Sequence, residues 1–372
     1  MVALAALPGE RRGAAPRRAP REGPWQLRRV LPALRPVVWH PGRGLRADAR
    51  SARRRRAVSA VDTVVIANPA AAAGRVGRAR DALRRTITGA LGPCRYVETE
   101  RPGHAVALAR EAVTDGAARV LSLGGDGTHH EVVNGLMDHP DRGRVTFGVL
   151  PVGTGGDLRR TLGVWTLGEA LRAIRERAAR PMDVGRATYV ADDGSDGARW
   201  FVNLASCGAS GLVDRLVNAS GKRLGGRAAF VAGTLRAMAR YEPARVRVTA
   251  DGRELGEHEI ATLVVGNGRY AGGGMCFCPA ARIDDGALDL LVIPHAGMAR
   301  SLWRAPRLYR GTAGALPGAV TARVAEVTVQ ALANTAYLDL DGESPGRATA
   351  TFRVHPGALR LAGAPGEASG RR

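Results

Sequence analysis

The chain has 372 residues, 55 Lys and Arg against 34 Asp and Glu, a formal net charge of +21, and 45% hydrophobic residues. That length suits two domains with substantial cores, and no uncharged apolar run approaches the ~20 residues of a membrane-spanning helix, so the expected location is the cytoplasm. The charge does not indicate a specific nucleic-acid partner: residues 1–60 hold 15 Arg against Glu10, Glu22 and Asp48, a net of +12, so the excess sits mostly in one arm rather than on a folded face.

That arm, residues 1–60, has prolines at 8, 16, 20, 24, 32, 36 and 41 that interrupt any long helix, and it reads as disordered. Its start is too short in apolar residues for a secretory signal, while Trp25 and Trp39 among arginines suit transient contact with an anionic membrane surface. From Val61 apolar strands alternate with amphipathic helices, the pattern of a βα-layered domain with a largely parallel sheet. Strands are predicted at 63–67, 94–98, 119–123 and 145–150, and helices at 76–91 and 104–113. After Asp183 short strand-like runs with Gly and Asp-Gly turns dominate, interrupted by helix between 211 and 240. The fold class is therefore α/β: a Rossmann-like domain over 61–184, a mainly antiparallel β-sandwich over 185–364, and a tail at 365–372. Four cysteines, 94, 207, 276 and 278, are too few and too irregular for a disulfide framework and read as small buried thiols.

The strongest chemical signal is Gly124-Gly125-Asp126-Gly127-Thr128, directly after a predicted strand and before a predicted helix. Glycines there let backbone approach an oxyanion, and the helix N-terminus offers free N–H groups, which together make a phosphate cradle. A carboxylate beside such a cradle repels the anion unless a divalent cation lies between them, so Asp126 suggests Mg²⁺. Thr128 and Glu131 also fit a capping box on the same helix, and His129 and His130 read as surface or capping residues. A second glycine loop, Gly153-Thr154-Gly155-Gly156-Asp157, follows the next strand. Loops at the carboxyl ends of consecutive strands face one crevice. Neither has the spacing of a dinucleotide or P-loop motif. Asp341-Gly342 has two readings: a hairpin turn or a catalytic carboxylate. Lys222, the single lysine, reads as a solvated loop charge, and the apolar stretches 211–217 and 228–235 as core or cleft lining.

The ordered set GGDGTHHEVVNG, LPVGTGGDLRR, PMDVG, FVNLASCGASG, NGRYAGGGM, PAARIDDGALDLLV and LDLDGE resembles the diacylglycerol kinase and sphingosine kinase catalytic domain, in its bacterial soluble lipid-kinase branch, across nearly all of residues 61–362. The GGDGT element alone is shared with NAD kinases. The resemblance implies a nucleotide held between an α/β domain and a β-sandwich, with the γ-phosphoryl group of ATP passing to a lipid hydroxyl such as that of diacylglycerol or a sphingoid base, in the presence of Mg²⁺. It implies a nucleotide site built from Asn68, Gly124, Gly125, Asp126, Gly127, Thr128, Glu131, Gly153, Thr154, Gly155, Asp157 and Glu343. Asp126 would lie at the metal, Asp183 would join the metal and charge network, and Asp341 would be the general base. A carboxylate base suits the chemistry, because a lipid alcohol is a poor nucleophile at neutral pH. At Asp284-Asp285-Gly286 the resemblance suggests at most a structural metal.

Two departures stand out. The first-strand loop, typically Asn-Pro followed by Ser-Gly, stands as Asn68-Pro69-Ala70-Ala71-Ala72-Ala73-Gly74, and Gly156 replaces a frequent Asn. The competing readings are a kinase for a soluble acceptor such as NAD, which GGDGT permits, and a non-catalytic lipid-binding protein on the same fold, which the altered first loop favours.

Overall fold

The computed structural model describes residues 62–152, 156–219 and 241–363. The expectations placed on the basic arm, residues 153–155, Lys222, the stretch 228–235 and the tail 365–372 lie outside them. Strand β1 (Thr63–Ala67) is buried at every position, which is why it reads as an unbroken apolar run rather than an alternating one. It lies parallel between β2 (Arg95–Glu98) and β3 (Arg119–Gly124), and β3 pairs in parallel with β4 (Thr146–Pro151). The order β2-β1-β3-β4 puts a topological switch point between β1 and β3, where open α/β sheets form a crevice at their carboxyl ends.

Helices α1 (Ala71–Arg78), α2 (Arg80–Leu91), α3 (His104–Thr114) and α4 (Asp126–Met137) follow in turn. Each buries its apolar residues in the first core, through Val76, Ile87, Ala109 and Leu136 among others. The α3–α4 approach is so close that a Cβ on Gly135 would stand 2.3 Å from the Val106 carbonyl oxygen. Two further helices, α5 (Asp157–Leu162) and α6 (Leu167–Glu176), lead to β5 (Arg180–Ala191).

Strands β6 (Asp196–Phe201), β7 (Leu204–Gly208), β8 (Ala244–Ala250) and β9 (Arg253–Gly266) open the second half, with helix α7 (Ala209–Ala219) after β7. Among the described residues the short β10 (Tyr270–Ala271) and β11 (Met275–Cys276) pair only with each other. There follow β12 (Leu288–Pro294), helix α8 (Met298–Tyr309), β13 (Val320–Val324), β14 (Glu326–Ala333), β15 (Leu338–Leu340) and β16 (Gly346–Leu361). The antiparallel run β13-β12-β9-β8-β14-β16 surrounds a second core of Phe201, Ile260, Leu290, Val329 and Phe352. The α/β and antiparallel parts thus follow the order read from the sequence.

Strand β16 joins the two parts. It pairs antiparallel with β14 and β5, and its last residues run parallel to β4, Arg360 opposite Thr146 and Leu361 opposite Phe147. The side chains of Leu359, Leu361 and Ala362 complete the first core. The boundary expected near residue 184 falls inside β5.

Candidate active site

The cleft begins at the switch point. The Asn68 amide donates to Thr128 Oγ1 at 3.1 Å, and its backbone N–H donates to the Leu123 carbonyl at 3.0 Å, so the loop after β1 is tied to the start of α4. A Cβ on Gly124 would lie 2.5 Å from Thr128 Oγ1, whereas one on Gly125 would meet nothing within 4 Å. Gly124 is needed for packing, and Gly125 leaves backbone open beside the cleft. Ala72 and Ala73 hold φ of 54° and 57° ahead of Gly74 at 76°. These left-handed values disfavour residues with a Cβ, and they kink α1 at its start, over the stretch where the sequence lacks its usual early glycine.

Helix α4 starts at Asp126, with Gly125 as N-cap and no side-chain cap. The capping-box reading is thereby corrected: the N-cap is Gly125 rather than Thr128, three residues earlier, and Thr128 sits inside the first turn. Glu131 instead caps the neighbouring helix, accepting from the N–H groups of Gly103 at 2.9 Å and Ala105 at 3.1 Å, which commits the carboxylate expected at the nucleotide to α3.

Asp126 accepts from the N–H of Asp157 at 2.8 Å and of Leu158 at 3.2 Å, so its carboxylate caps α5 while lining the cleft. Burial, and then the charges of Asp157 and Asp341, push it up to about 6, against the pull of those two amides. Asp157 accepts from the Gly273 N–H at 2.8 Å, reaching across to the second domain. Burial raises its pKa as well, with Arg160 among the opposing influences. Its Oδ1 is buried without a hydrogen-bond partner among the described residues and forms an ion pair with Arg160 Nε at 3.6 Å.

Asp341 and Gly342 both have positive φ, 54° and 92°, between Leu340 and Glu343, whose backbones bond mutually at 2.8 and 3.0 Å. The hairpin turn is therefore present, and Asp341 is also among the residues that line the cleft. The Asp341 side chain is 3% exposed. One oxygen accepts from the N–H groups of Asn203 and Leu204, each at 3.0 Å; the other accepts from Val202 N–H at 2.8 Å and lies 3.0 Å from His130 Nδ1. Four partners thus occupy the four lone-pair sites of the carboxylate. Asp339, two residues earlier, accepts from the Gly342 N–H at 2.7 Å and lies 3.1 Å from Ser206 Oγ, which in turn is 2.8 Å from Ser210 Oγ. Glu343 is exposed at the cleft rim.

Asp183 stands elsewhere. It is 2% exposed, does not line the cleft, and accepts from the N–H groups of Gly286 and Gly357, both at 2.7 Å. The expectation that it belongs with the catalytic set is corrected: β5 places it where its oxygens pin the loop before β12 and the bend of β16. Asp285 nearby pairs with Arg323 at 2.6 Å.

His129 and His130, read as surface residues, are both buried. His130 had no signal as a site residue, because its partner lies 211 positions away. Asn203 was equally silent: its side chain accepts from Thr161 Oγ1 at 2.8 Å and donates to the Tyr270 carbonyl at 2.6 Å, locking α5 to the second domain.

The cavity enclosed by these groups is about 400 Å³. Asp126, Asp157, Asp339, Asp341 and Glu343 mark its polar part, and Leu204, Val213, Val264, Met275 and Phe277 its apolar wall. Val213 realises the cleft-lining alternative for the stretch 211–217. Among the described residues no group of three or more His, Cys, Asp or Glu could hold a metal ion. Mg²⁺ typically takes one or two carboxylates and completes its shell with phosphate oxygens and water. Asp126, with two of its acceptor sites unused by the amides, and Asp157 Oδ1, which faces Arg160 without a hydrogen bond among the described residues, fit that donor set.

A parallel-sheet crevice with a glycine cradle, facing buried carboxylates and an apolar wall across a domain junction, is an architecture suited to a phosphotransferase. Comparison with known proteins agrees. Residues 62–187 match the diacylglycerol kinase catalytic domain, and residues 203–363 match the YegS C-terminal NAD kinase beta sandwich-like domain. A Pseudomonas aeruginosa protein named "Probable lipid kinase YegS-like" is 33% identical over 271 residues, 71% of this chain and 82% of that one. A Chromohalobacter salexigens protein of the same name is 40% identical over 196 residues, 52% and 59% of the two chains. The crystal structure of "a putative diacylglycerol kinase from Bacillus anthracis str. Sterne" superposes with a TM-score of 0.64 at 25% identity, covering 81% of this chain and 96% of the other. The chain belongs to the YegS-like lipid kinase family, and it is a kinase.

Proposed function

We propose that the protein transfers the γ-phosphoryl group of ATP, with Mg²⁺, to the hydroxyl of diacylglycerol or a sphingoid-type lipid. The observation that carries this reading is the single cleft in which Asp126, Asp157 and Asp341 meet an apolar wall. Gly125 and the N-terminus of α4 receive phosphate oxygens through open backbone N–H groups. Asp126 and Asp157 would hold the cation, which when bound offsets the charge of the phosphates. The lipid oxygen forms its bond to the γ-phosphorus as the bond to the bridging oxygen of ADP breaks, and the hydroxyl proton passes to Asp341. Three of the partners of Asp341 are fixed backbone N–H groups; His130 is the one that can yield, so the incoming hydroxyl takes its place on Oδ2. A hydroxyl acceptor also finds Asp339, Ser206 and Ser210 along the wall. Asn68, Thr128 and Gly124 shape the cradle, and Glu343 closes its rim. The apolar wall favours a lipid over NAD as acceptor, and the buried carboxylates favour turnover over mere lipid binding.

The test is transfer of labelled phosphate from ATP to diacylglycerol, sphingosine, ceramide, undecaprenol and NAD. Asp341→Ala should lower turnover at least about a hundredfold, the low end for loss of a general base, with circular dichroism showing that the fold persists. Transfer to NAD alone would install the soluble-acceptor reading. Transfer that survives in Asp341→Ala would remove the proton from this residue.

A further inference from the structure

Helix α8 carries a face that the cleft does not use. Arg300, Trp303, Arg304 and Arg307 stand at i, i+3, i+4 and i+7 and so share one side of the helix. Trp303 is 75% exposed, and Tyr309 at the helix end is 58% exposed. One turn beyond Arg304, Leu308 packs against the cluster containing Leu204, Val264 and Phe277, which also form the apolar wall of the cleft. Arg310 follows the helix directly, and no Asp or Glu occurs anywhere from 290 to 325. Among the described residues none of these four arginines makes an ion pair.

Exposed Trp amid arginines is poorly suited to water and well suited to the lipid–water boundary, where the indole lies at headgroup depth and guanidinium groups meet phosphates. The charge selects the partner: an acid-free segment with four clustered arginines complements an anionic surface. The cavity of about 400 Å³ is also near the small end for ligand sites of ~300–1,000 Å³ and has a nucleotide terminus to admit as well. A two-chain lipid therefore keeps most of its chains outside. We propose that the Arg300–Trp303–Arg304–Arg307 face of α8 docks the enzyme on an anionic bilayer surface beside the apolar end of the cleft. The reason for going to a membrane rests on the lipid-kinase reading; the docking is measured without turnover.

The full chain is sedimented with vesicles of phosphatidylcholine alone and of equimolar phosphatidylcholine and phosphatidylglycerol. The parent should bind the anionic vesicles far better. Trp303→Ala and the pair Arg300→Gln/Arg304→Gln should each weaken that binding on the order of tenfold, from the worth of interfacial charges and buried aromatic area. Trp303→Phe should restore most of it. Brominated anionic lipids should quench the fluorescence that Trp303→Phe removes. Transfer to a short-chain diacylglycerol dispersed as monomers should stay at the parental rate in all variants. Unchanged vesicle binding in both loss variants, or absence of quenching, overturns the proposal. A halving of solution mass in Trp303→Ala with vesicle binding intact would assign the face to a second copy of the chain instead. Loss of transfer to every lipid in the parent, with the expected vesicle binding, would sink the kinase reading and leave the docking standing.

Discussion

At the scale of single residues, three aspartates expected in one network separate by what their oxygens accept. Asp126 and Asp341 organise backbone at the cleft and remain on its wall, whereas Asp183 spends both oxygens on Gly286 and Gly357 outside it. Replacing Asp183 by Ala removes a buried charged acceptor from the N–H groups of Gly286 and Gly357, and should cost about 3 kcal/mol of stability. Turnover per folded molecule should stay within about twofold, since surface and scaffold changes reach the chemistry only through the folded population. Urea midpoints together with kcat on the soluble fraction decide this, and a kcat loss as large as that of Asp341→Ala would return Asp183 to the chemistry. The strand–glycine–helix turn at Gly124–Gly125 was legible because its cues are local. The partners of Asp341 were not, because Val202, Asn203, Leu204 and His130 reach it from 137 or more positions away, and no spacing rule connects residues so distant.

At the scale of elements, α4 is fixed to the sheet through a histidine that sequence reasoning left on the surface. Its residue His129 is 2% exposed and lies 2.8 Å from Ser122 Oγ on β3. Burial pushes its pKa from 6.5 down to about 4. Folding then requires the neutral ring, and the unfolded chain binds the extra proton in the interval between those values. Stability contributed by the neutral state is complete above the unfolded value near 6.5 and is lost as pH falls toward 4, by about 3 kcal/mol at full extent. His129→Asn keeps a polar partner for Ser122 without titrating, so its urea midpoint should vary less than the parent's between pH 6.5 and 4.5. Parallel slopes in the two proteins would show that other groups carry the acid sensitivity. The same element explains why the capping reading of Thr128 and Glu131 failed. A capping box is a local pattern, yet the cap of α3 lies about 28 residues before Glu131 in the chain, and tertiary packing of α3 on α4 decided the outcome.

At the scale of the whole molecule, the two halves share structure that a division by sequence pattern conceals. The alternation of strands and helices ends near residue 184, and the first family match ends at 187. The first core nevertheless requires Leu359, Leu361 and Ala362, delivered by the far end of β16, with the Ala362 N–H donating to the Phe147 carbonyl at 2.7 Å. Parallel pairing of β16 with β4 carries no local sequence cue, so this return was invisible to period and turn reading. Residues 62–187 expressed alone would leave β4 as an open edge and β5 without its long partner, both with buried apolar faces turned to water. Domain stability is only about 5–15 kcal/mol, and uncovering Phe147, Met182 and Val184, each at most 1% exposed in the whole chain, removes about 1.5–3 kcal/mol per side chain. The fragment should therefore aggregate or melt without a cooperative transition, while residues 62–363 melt in one step that nucleotide shifts upward as a whole. A sharp melt and native-like circular dichroism from the fragment would show that the parallel sheet is self-sufficient, and that β16 adds the second domain to a core already closed.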